Sequence, residues 1–126
     1  IFGAGGVGSF YGAMLAKGGK EVVFIGRGEH LKAMKEKGLT VKSYKHGEFT
    51  VKESDRVKFT QNPEEAKGAD VVLVCVKSYD TEKVAPAVAE ILPPKGVAVS
   101  VQNGIENEEI LAKFVGKERV LGATAF

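Results

Sequence analysis

Five of the first twelve residues, IFGAGGVGSFYG, are glycine, and a chain that opens with so little side chain has few folds open to it. Gly3, Gly5 and Gly8 have the spacing G-x-G-x-x-G, and Gly12 continues the run at helical spacing. In a dinucleotide-binding turn the first glycine permits a tight bend, the second lets the backbone approach a pyrophosphate, and the third lets a helix lie close to a sheet. A diphosphate docked on free N–H groups at a helix N-terminus is also held by the positive end of the helix dipole and needs no charged side chain. The run contains none. A linker or a purely structural tight turn uses glycine as well, so the surrounding residues have to decide.

Beyond the glycines, Val7, Phe10, Tyr11, Met14 and Leu15 fall at i, i+3, i+4, i+7 and i+8, the spacing of an amphipathic helix, ended by Gly18-Gly19. Gly8, Gly12 and Ala16 leave a second ridge of that helix bare, for close packing on the sheet or on another chain. EVVFI (21–25) is nearly all apolar, as in a strand covered on both faces. A short helix is expected over 29–37 with Gly38 as its stop. LTVKSY and FTVK alternate around Lys45-His46-Gly47-Glu48 as a half-exposed hairpin.

Asn62-Pro63-Glu64-Glu65 opens a brief helix, and ADVVLVCVK (69–77) is the strongest strand signal in the chain. A helix follows with Val84, Val88, Ile91 and Leu92 as its stripe, Asp80 as its cap and Pro93-Pro94 as its end. VAVSV (97–101) is a further buried strand, Leu111, Phe114 and Val115 mark a last helix, and RVLGATAF is one more strand. Buried strands alternating with helices imply a doubly wound, mostly parallel Rossmann-type α/β sheet with a small hairpin insertion. Only Ile1 and Phe2 precede Gly3, where a strand takes about 5–6 residues. Residues 1–126 are accordingly expected to be one dinucleotide-binding domain, truncated at both ends.

The totals narrow the function. A length of 126 residues supports one core without staples, and 44% hydrophobic with 27% charged residues is ordinary for a globular protein. The single cysteine, Cys75, lies in VVLVCV and reads as a buried core thiol in a reducing, cytoplasmic setting. His30 and His46 stand far apart, so no metal site is expected. The longest apolar run is far below the roughly 20 residues of a membrane span, so no membrane partner is expected. A net charge of +2 gives no argument for nucleic acid. Residues 1–63 nevertheless carry 11 basic and 6 acidic groups against 7 and 10 in 64–126. That basic half would help attract an anion, or is a chance asymmetry of a solvated surface.

The residue about 20 positions past the glycine turn separates NAD from NADP, because a carboxylate there bonds the ribose 2′-hydroxyl and repels a 2′-phosphate. This chain has Gly26-Arg27, and an arginine fork pairs with phosphate. NADP is favoured, with Glu29 as the carboxylate that a mobile loop would bring instead and a solvated loop arginine as the plain alternative. Lys77 ends VVLVCVK and Asn103 follows VAVSVQ, beyond the carboxyl ends of strands, where open α/β sheets place ligands. Lysine there holds an anion by charge and asparagine can donate to or accept from a carboxamide or carbonyl. The plain alternatives are a charged strand terminus and a turn before a helix.

Taken together, GAGGVGSFYGAMLAKGG, IGRGEHL, VCVKSYDT and SVQNGIENEEIL resemble the ketopantoate reductase family, the 2-dehydropantoate 2-reductases of pantothenate synthesis, over the whole chain. The resemblance implies an NADPH-dependent oxidoreductase that transfers hydride to a small 2-oxo acid. Gly3, Ala4, Gly5, Gly6, Val7 and Gly8 would cradle the NADPH pyrophosphate, Arg27 would meet the 2′-phosphate, and Lys77 and Asn103 would sit beside nicotinamide and substrate. In the family the proton donor is a lysine of a helical C-terminal domain, absent from this chain. No catalytic residue is therefore assigned here, and the chain alone is expected to bind cofactor with little or no turnover. A related NAD(P)-dependent dehydrogenase of another 2-oxo or 3-hydroxy acid and a non-catalytic dinucleotide sensor remain the alternatives. A homo-oligomer is compatible with any of the three.

Overall fold

Short valine-rich runs become strands because β-branched side chains suit a pleated, covered surface. The computed structural model describes residues 1–103 and 106–124. In chain order these form α1 (Gly6–Lys17), β1 (Val22–Ile25), α2 (Gly28–Lys37), β2 (Leu39–Ser43), β3 (Gly47–Val51) and β4 (Val57–Thr60). There follow β5 (Val71–Val74), α3 (Thr81–Ile91), β6 (Val97–Ser100), α4 (Asn107–Val115) and β7 (Val120–Gly122). Three-residue and four-residue 3-10 turns cover Pro63–Ala66, Ser78–Asp80 and Lys117–Arg119.

The main sheet winds outward in two directions from the opening dipeptide. Phe2 bridges in parallel to Ile25 of β1 on one side and to Val74 of β5 on the other. Its N–H donates to the Leu73 carbonyl at 2.8 Å, and its carbonyl accepts from the Cys75 N–H at 2.8 Å. From this centre β1 pairs in parallel with β4, while β5, β6 and β7 run parallel to one another on the other side. Parallel strands need helical crossovers, and these place hydrophobic layers on both faces. Alternation along β1 makes the two layers visible. Val22 and Phe24 belong to a cluster with Ala13, Leu31, Met34 and Phe59, whereas Ile25 joins Val74, Val88, Ile91, Ala98 and Leu111. Successive strand residues point to opposite faces, so α1, α2 and the hairpin cover one face and α3 and α4 the other.

Most expected elements form, with instructive departures. The hairpin pairs Leu39 with Val51 through Ser43 with Gly47. Asn62 caps its turn, its side-chain oxygen accepting from the Glu64 N–H at 3.1 Å, but the turn is 3-10 rather than α. The strand expected over 69–77 is regular only over Val71–Val74, and Cys75 is half-buried. The last strand is Val120–Gly122, with residues 125 and 126 of RVLGATAF outside the described residues.

Two points differ from expectation, the strand at VKFT and the capping role of Asp80. VKFT (57–60) carries no strand signal strong enough to stand out beside the polar ESDR before it, yet it forms β4 because Val57 and Phe59 bury beneath α2. Phe59 meets Phe24 edge-on at 5.3 Å, both rings fully buried. The helix α1 does turn its bare ridge to the sheet, one of the two packings expected for it: its buried residues are Gly8, Ser9, Gly12 and Ala13, while Val7 and Leu15 are 41% and 42% exposed. Asp80 does precede α3, but its carboxylate makes no capping hydrogen bond.

Candidate functional site

Parallel strands put all their carboxyl ends along one edge, and that edge collects the candidate residues. Gly3 follows Phe2, Gly26-Arg27 follows β1, Cys75-Val76-Lys77 follows β5, and Val101-Gln102-Asn103 follows β6. The glycine turn lies where the winding reverses, the place at which open α/β sheets bind ligands.

The three motif glycines are there for three different physical reasons. Gly3 has φ +104°, and a Cβ on it would lie 2.7 Å from the Val76 nitrogen and 2.8 Å from the Cys75 carbonyl carbon. A Cβ on Gly8 would run into the Gly3 carbonyl oxygen and come within 2.9 Å of Ile1. A Cβ on Gly5 would meet nothing within 4 Å, and its backbone, at φ −79° and ψ −160°, is open to any residue. Protein packing therefore excludes side chains at Gly3 and Gly8, whereas at Gly5 the space faces outward.

Gly5 is also the N-cap of α1. The first closed helical bond runs from the Ser9 N–H to the Gly5 carbonyl at 2.8 Å, so the N–H groups of Gly6, Val7 and Gly8 precede the first turn's ladder. Neither a capping side chain nor an acidic residue occupies that turn. A helix N-terminus without a local carboxylate favours an anion. The turn is fixed from beneath: the buried Ser9 hydroxyl donates to the Ala4 carbonyl at 2.9 Å. A Cβ at Gly26 would lie 3.3 Å from that of Ala4, so the end of β1 abuts the turn.

Arg27 caps α2 in extended conformation, its side chain 84% exposed, with a guanidinium nitrogen 3.9 Å from an Asp80 carboxylate oxygen. Asp80 is also 3.5 Å from the Lys83 ammonium. The Arg27–Asp80 pair thus reaches from the end of β1 to the segment after β5, across the crevice. Lys77 is exposed and begins the 3-10 turn, and Asn103 is exposed after β6. The Ser78 hydroxyl donates to the Asn103 carbonyl, which brings the two segments together. Gly104, the second half of the expected Asn-Gly turn, lies outside the described residues.

Beneath these exposed residues runs a set of polar side chains that the sequence reading did not single out. The Thr81 hydroxyl donates to Asn107 Oδ1 at 2.7 Å and accepts from Gln102 Nε2 at 2.7 Å. Gln102 Nε2 also donates to the Val76 carbonyl at 2.9 Å, and its oxygen accepts from Ser100 at 2.8 Å. Asn107 Nδ2 donates to the Asn103 carbonyl at 3.0 Å. A signal was present in the pattern. Thr81 opens the buried stripe Thr81, Ala85, Val88 of α3, and Asn107 opens Asn107, Leu111, Val115 of α4. A polar residue at the first position of an apolar stripe needs a buried partner.

The Cys75 thiol under the glycine turn is held uncharged near neutral pH, because burial pushes it up to about 11. Among the described residues, no three His, Cys, Asp or Glu side chains converge as metal ligands, and no helix is long and apolar enough to cross a membrane.

A parallel sheet wound both ways from a central segment, with a glycine turn at the reversal, defines a Rossmann-type α/β domain. The family model described as ketopantoate reductase PanE/ApbA matches residues 1–126. The chain belongs to the ketopantoate reductase family. It is 46% identical over 97% of its length to the 2-dehydropantoate 2-reductase of Archaeoglobus fulgidus, of which it covers 37%. It superposes over its whole length on a crystal structure of 2-dehydropantoate 2-reductase from Geobacter metallireducens, at TM-score 0.87 and 34% identity, covering 40% of that chain. A D-mandelate dehydrogenase solved with NADH and anilino(oxo)acetate is also similar, at TM-score 0.80 and 27% identity over 97% of this chain and 38% of that one. The chain thus spans about two-fifths of the length of the relatives it matches.

Proposed function

We propose that this chain is the cofactor-binding half of an NADPH-dependent 2-dehydropantoate 2-reductase. The observation that carries the proposal is Gly5: a glycine kept where neither backbone nor packing requires one, at a helix N-terminus with spare N–H groups. A diphosphate supplies the missing reason. Gly3, Ala4, Gly5, Gly6, Val7 and Gly8 then present amides to the pyrophosphate, and Arg27 exchanges Asp80 for the 2′-phosphate. Lys77 and Asn103 orient the nicotinamide, and Asn103 also contacts the substrate carbonyl. When bound, the cofactor supplies hydride to the ketone of 2-dehydropantoate. This chain's residues bind and orient, and the proton donor is expected in a helical domain of the kind described for the family, so the chain alone turns over little substrate.

The test is paired titration with NADPH and NADH, in wild type and Arg27→Ala. Loss of the guanidinium should weaken NADPH about tenfold or more while NADH changes little, because charge-assisted bonds to phosphate are the strong ones. Equal affinity for both cofactors in wild type removes Arg27 from its role. A second reading has one observation in its favour, the similarity to the D-mandelate dehydrogenase structure with NADH. In that reading the chain serves a dehydrogenase of a different 2-oxo acid. Tighter binding of NADH than of NADPH, and activity of the assembled enzyme on other 2-oxo acids with none on 2-dehydropantoate, would favour it.

A further inference from the structure

We propose that the Thr81 hydroxyl is a positioning residue for the nicotinamide end of the crevice, locking the strand ends that carry Lys77 and Asn103 into one mutual geometry. The inference rests on the role proposed above for those two residues. A hydroxyl has one proton and can both donate and accept. Here it donates to Asn107 and accepts from Gln102, which settles how both amides face. Gln102 then offers its N–H to the Val76 carbonyl, one residue before Lys77, and Asn107 offers its N–H to the carbonyl of Asn103 itself. Ser78, adjacent to Lys77, closes the loop by donating to that same carbonyl. Turning Gln102 over would set its amide oxygen against the Val76 carbonyl, and turning Asn107 over would set its own against the Asn103 carbonyl, acceptor against acceptor in both cases, so the alternatives are excluded together.

The placement argues against a merely structural role. Thr81 is fully buried and Asn107 is 2% exposed, while the other buried positions of α3 and α4 are Ala85, Val88, Ile91, Leu111 and Val115. Apolar residues would fill the same space between the helices at less desolvation cost. What they would not do is hold two backbone carbonyls at the ligand edge of the sheet, where misplacement of about 1 Å is costly to function. Satisfied buried networks specify a single arrangement in this way.

The test compares NADPH with 2′-phospho-ADP-ribose, which lacks only the nicotinamide. Thr81→Val should weaken NADPH binding about tenfold and leave 2′-phospho-ADP-ribose within about twofold, since the loss falls on one end of the ligand. Thr81→Ser, which keeps the hydroxyl, should restore NADPH affinity. Ser78→Ala, on an exposed residue that leaves folding intact, should discriminate in the same direction. Equal weakening of both ligands by Thr81→Val and Ser78→Ala, or of neither, overturns the proposal. Lys77→Ala serves as the reference: if it discriminates and the two network variants do not, only this inference fails. If Lys77→Ala does not discriminate either, the assignment of the nicotinamide end falls with it.

Discussion

Side chains are absent from Gly3, Gly5 and Gly8 for reasons that separate by experiment. At Gly3 a positive φ and two backbone atoms of the β5 end forbid a Cβ, and at Gly8 the Gly3 carbonyl does. Substitution there strains the fold, so a loss of binding would be uninformative. Gly5 stands in ordinary conformation against open space. Gly5→Val should cost less than about 1 kcal/mol of stability, the scale of an N-cap change. It should weaken NADPH by about tenfold or more, since it fills the approach to the amides. Calorimetric titration together with urea unfolding reads both quantities, and unchanged affinity would leave the anion site without support. The motif spacing alone distinguishes none of these roles, because each depends on what lies across from the Cα.

Among the elements, α1 carries two ridges at helical spacing, and close approach outweighs apolar area in deciding between them. Val7, Phe10, Tyr11, Met14 and Leu15 have helical spacing, yet the face pressed to the sheet is Gly8, Ser9, Gly12 and Ala13. A Cβ on Gly12 would enter the Phe24 ring and lie 2.8 Å from Ile1, so the helix axis sits nearer the sheet than bulky residues would allow. Gly12→Val should therefore destabilise by more than about 2 kcal/mol through overpacking. Leu15→Gln, on the half-open flank, should change stability by about 0.5 kcal/mol or less. Denaturant midpoints of the two variants test the choice of ridge, and the reverse ranking would contradict it. β4 teaches the complementary lesson. VKFT has only two apolar residues and becomes a strand because β1 offers it a parallel edge and Phe24 offers Phe59 a ring.

Over the whole molecule, one half-buried group limits stability at high pH. The Cys75 thiol rises from 9.0 to about 11, so its contribution is complete below pH 9 and is lost as pH rises through 11. That alkaline limb is of order 2 kcal/mol when fully titrated. Urea midpoints at pH 8.5 and 11.5 measure it, and Cys75→Ala should flatten it. A midpoint no lower at pH 11.5 than at pH 8.5 would contradict the desolvation of the thiol.

The α/β alternation, the hairpin, the Asn62 cap and the glycine turn are local in origin: short-range periodicity, turn chemistry and missing side chains encode them, and the sequence by itself determined them. So too were the four stretches that resemble the ketopantoate reductase family, whose model matches residues 1–126. Only the tertiary structure decided which ridge of α1 faces the sheet, that VKFT joins it, and that Asp80 pairs with Arg27 instead of capping α3. It alone joined Thr81, Gln102 and Asn107 across 26 residues of chain. Each of these depends on a partner distant in sequence, and a one-dimensional pattern does not record what a residue will meet when parallel strands bring their ends to one edge.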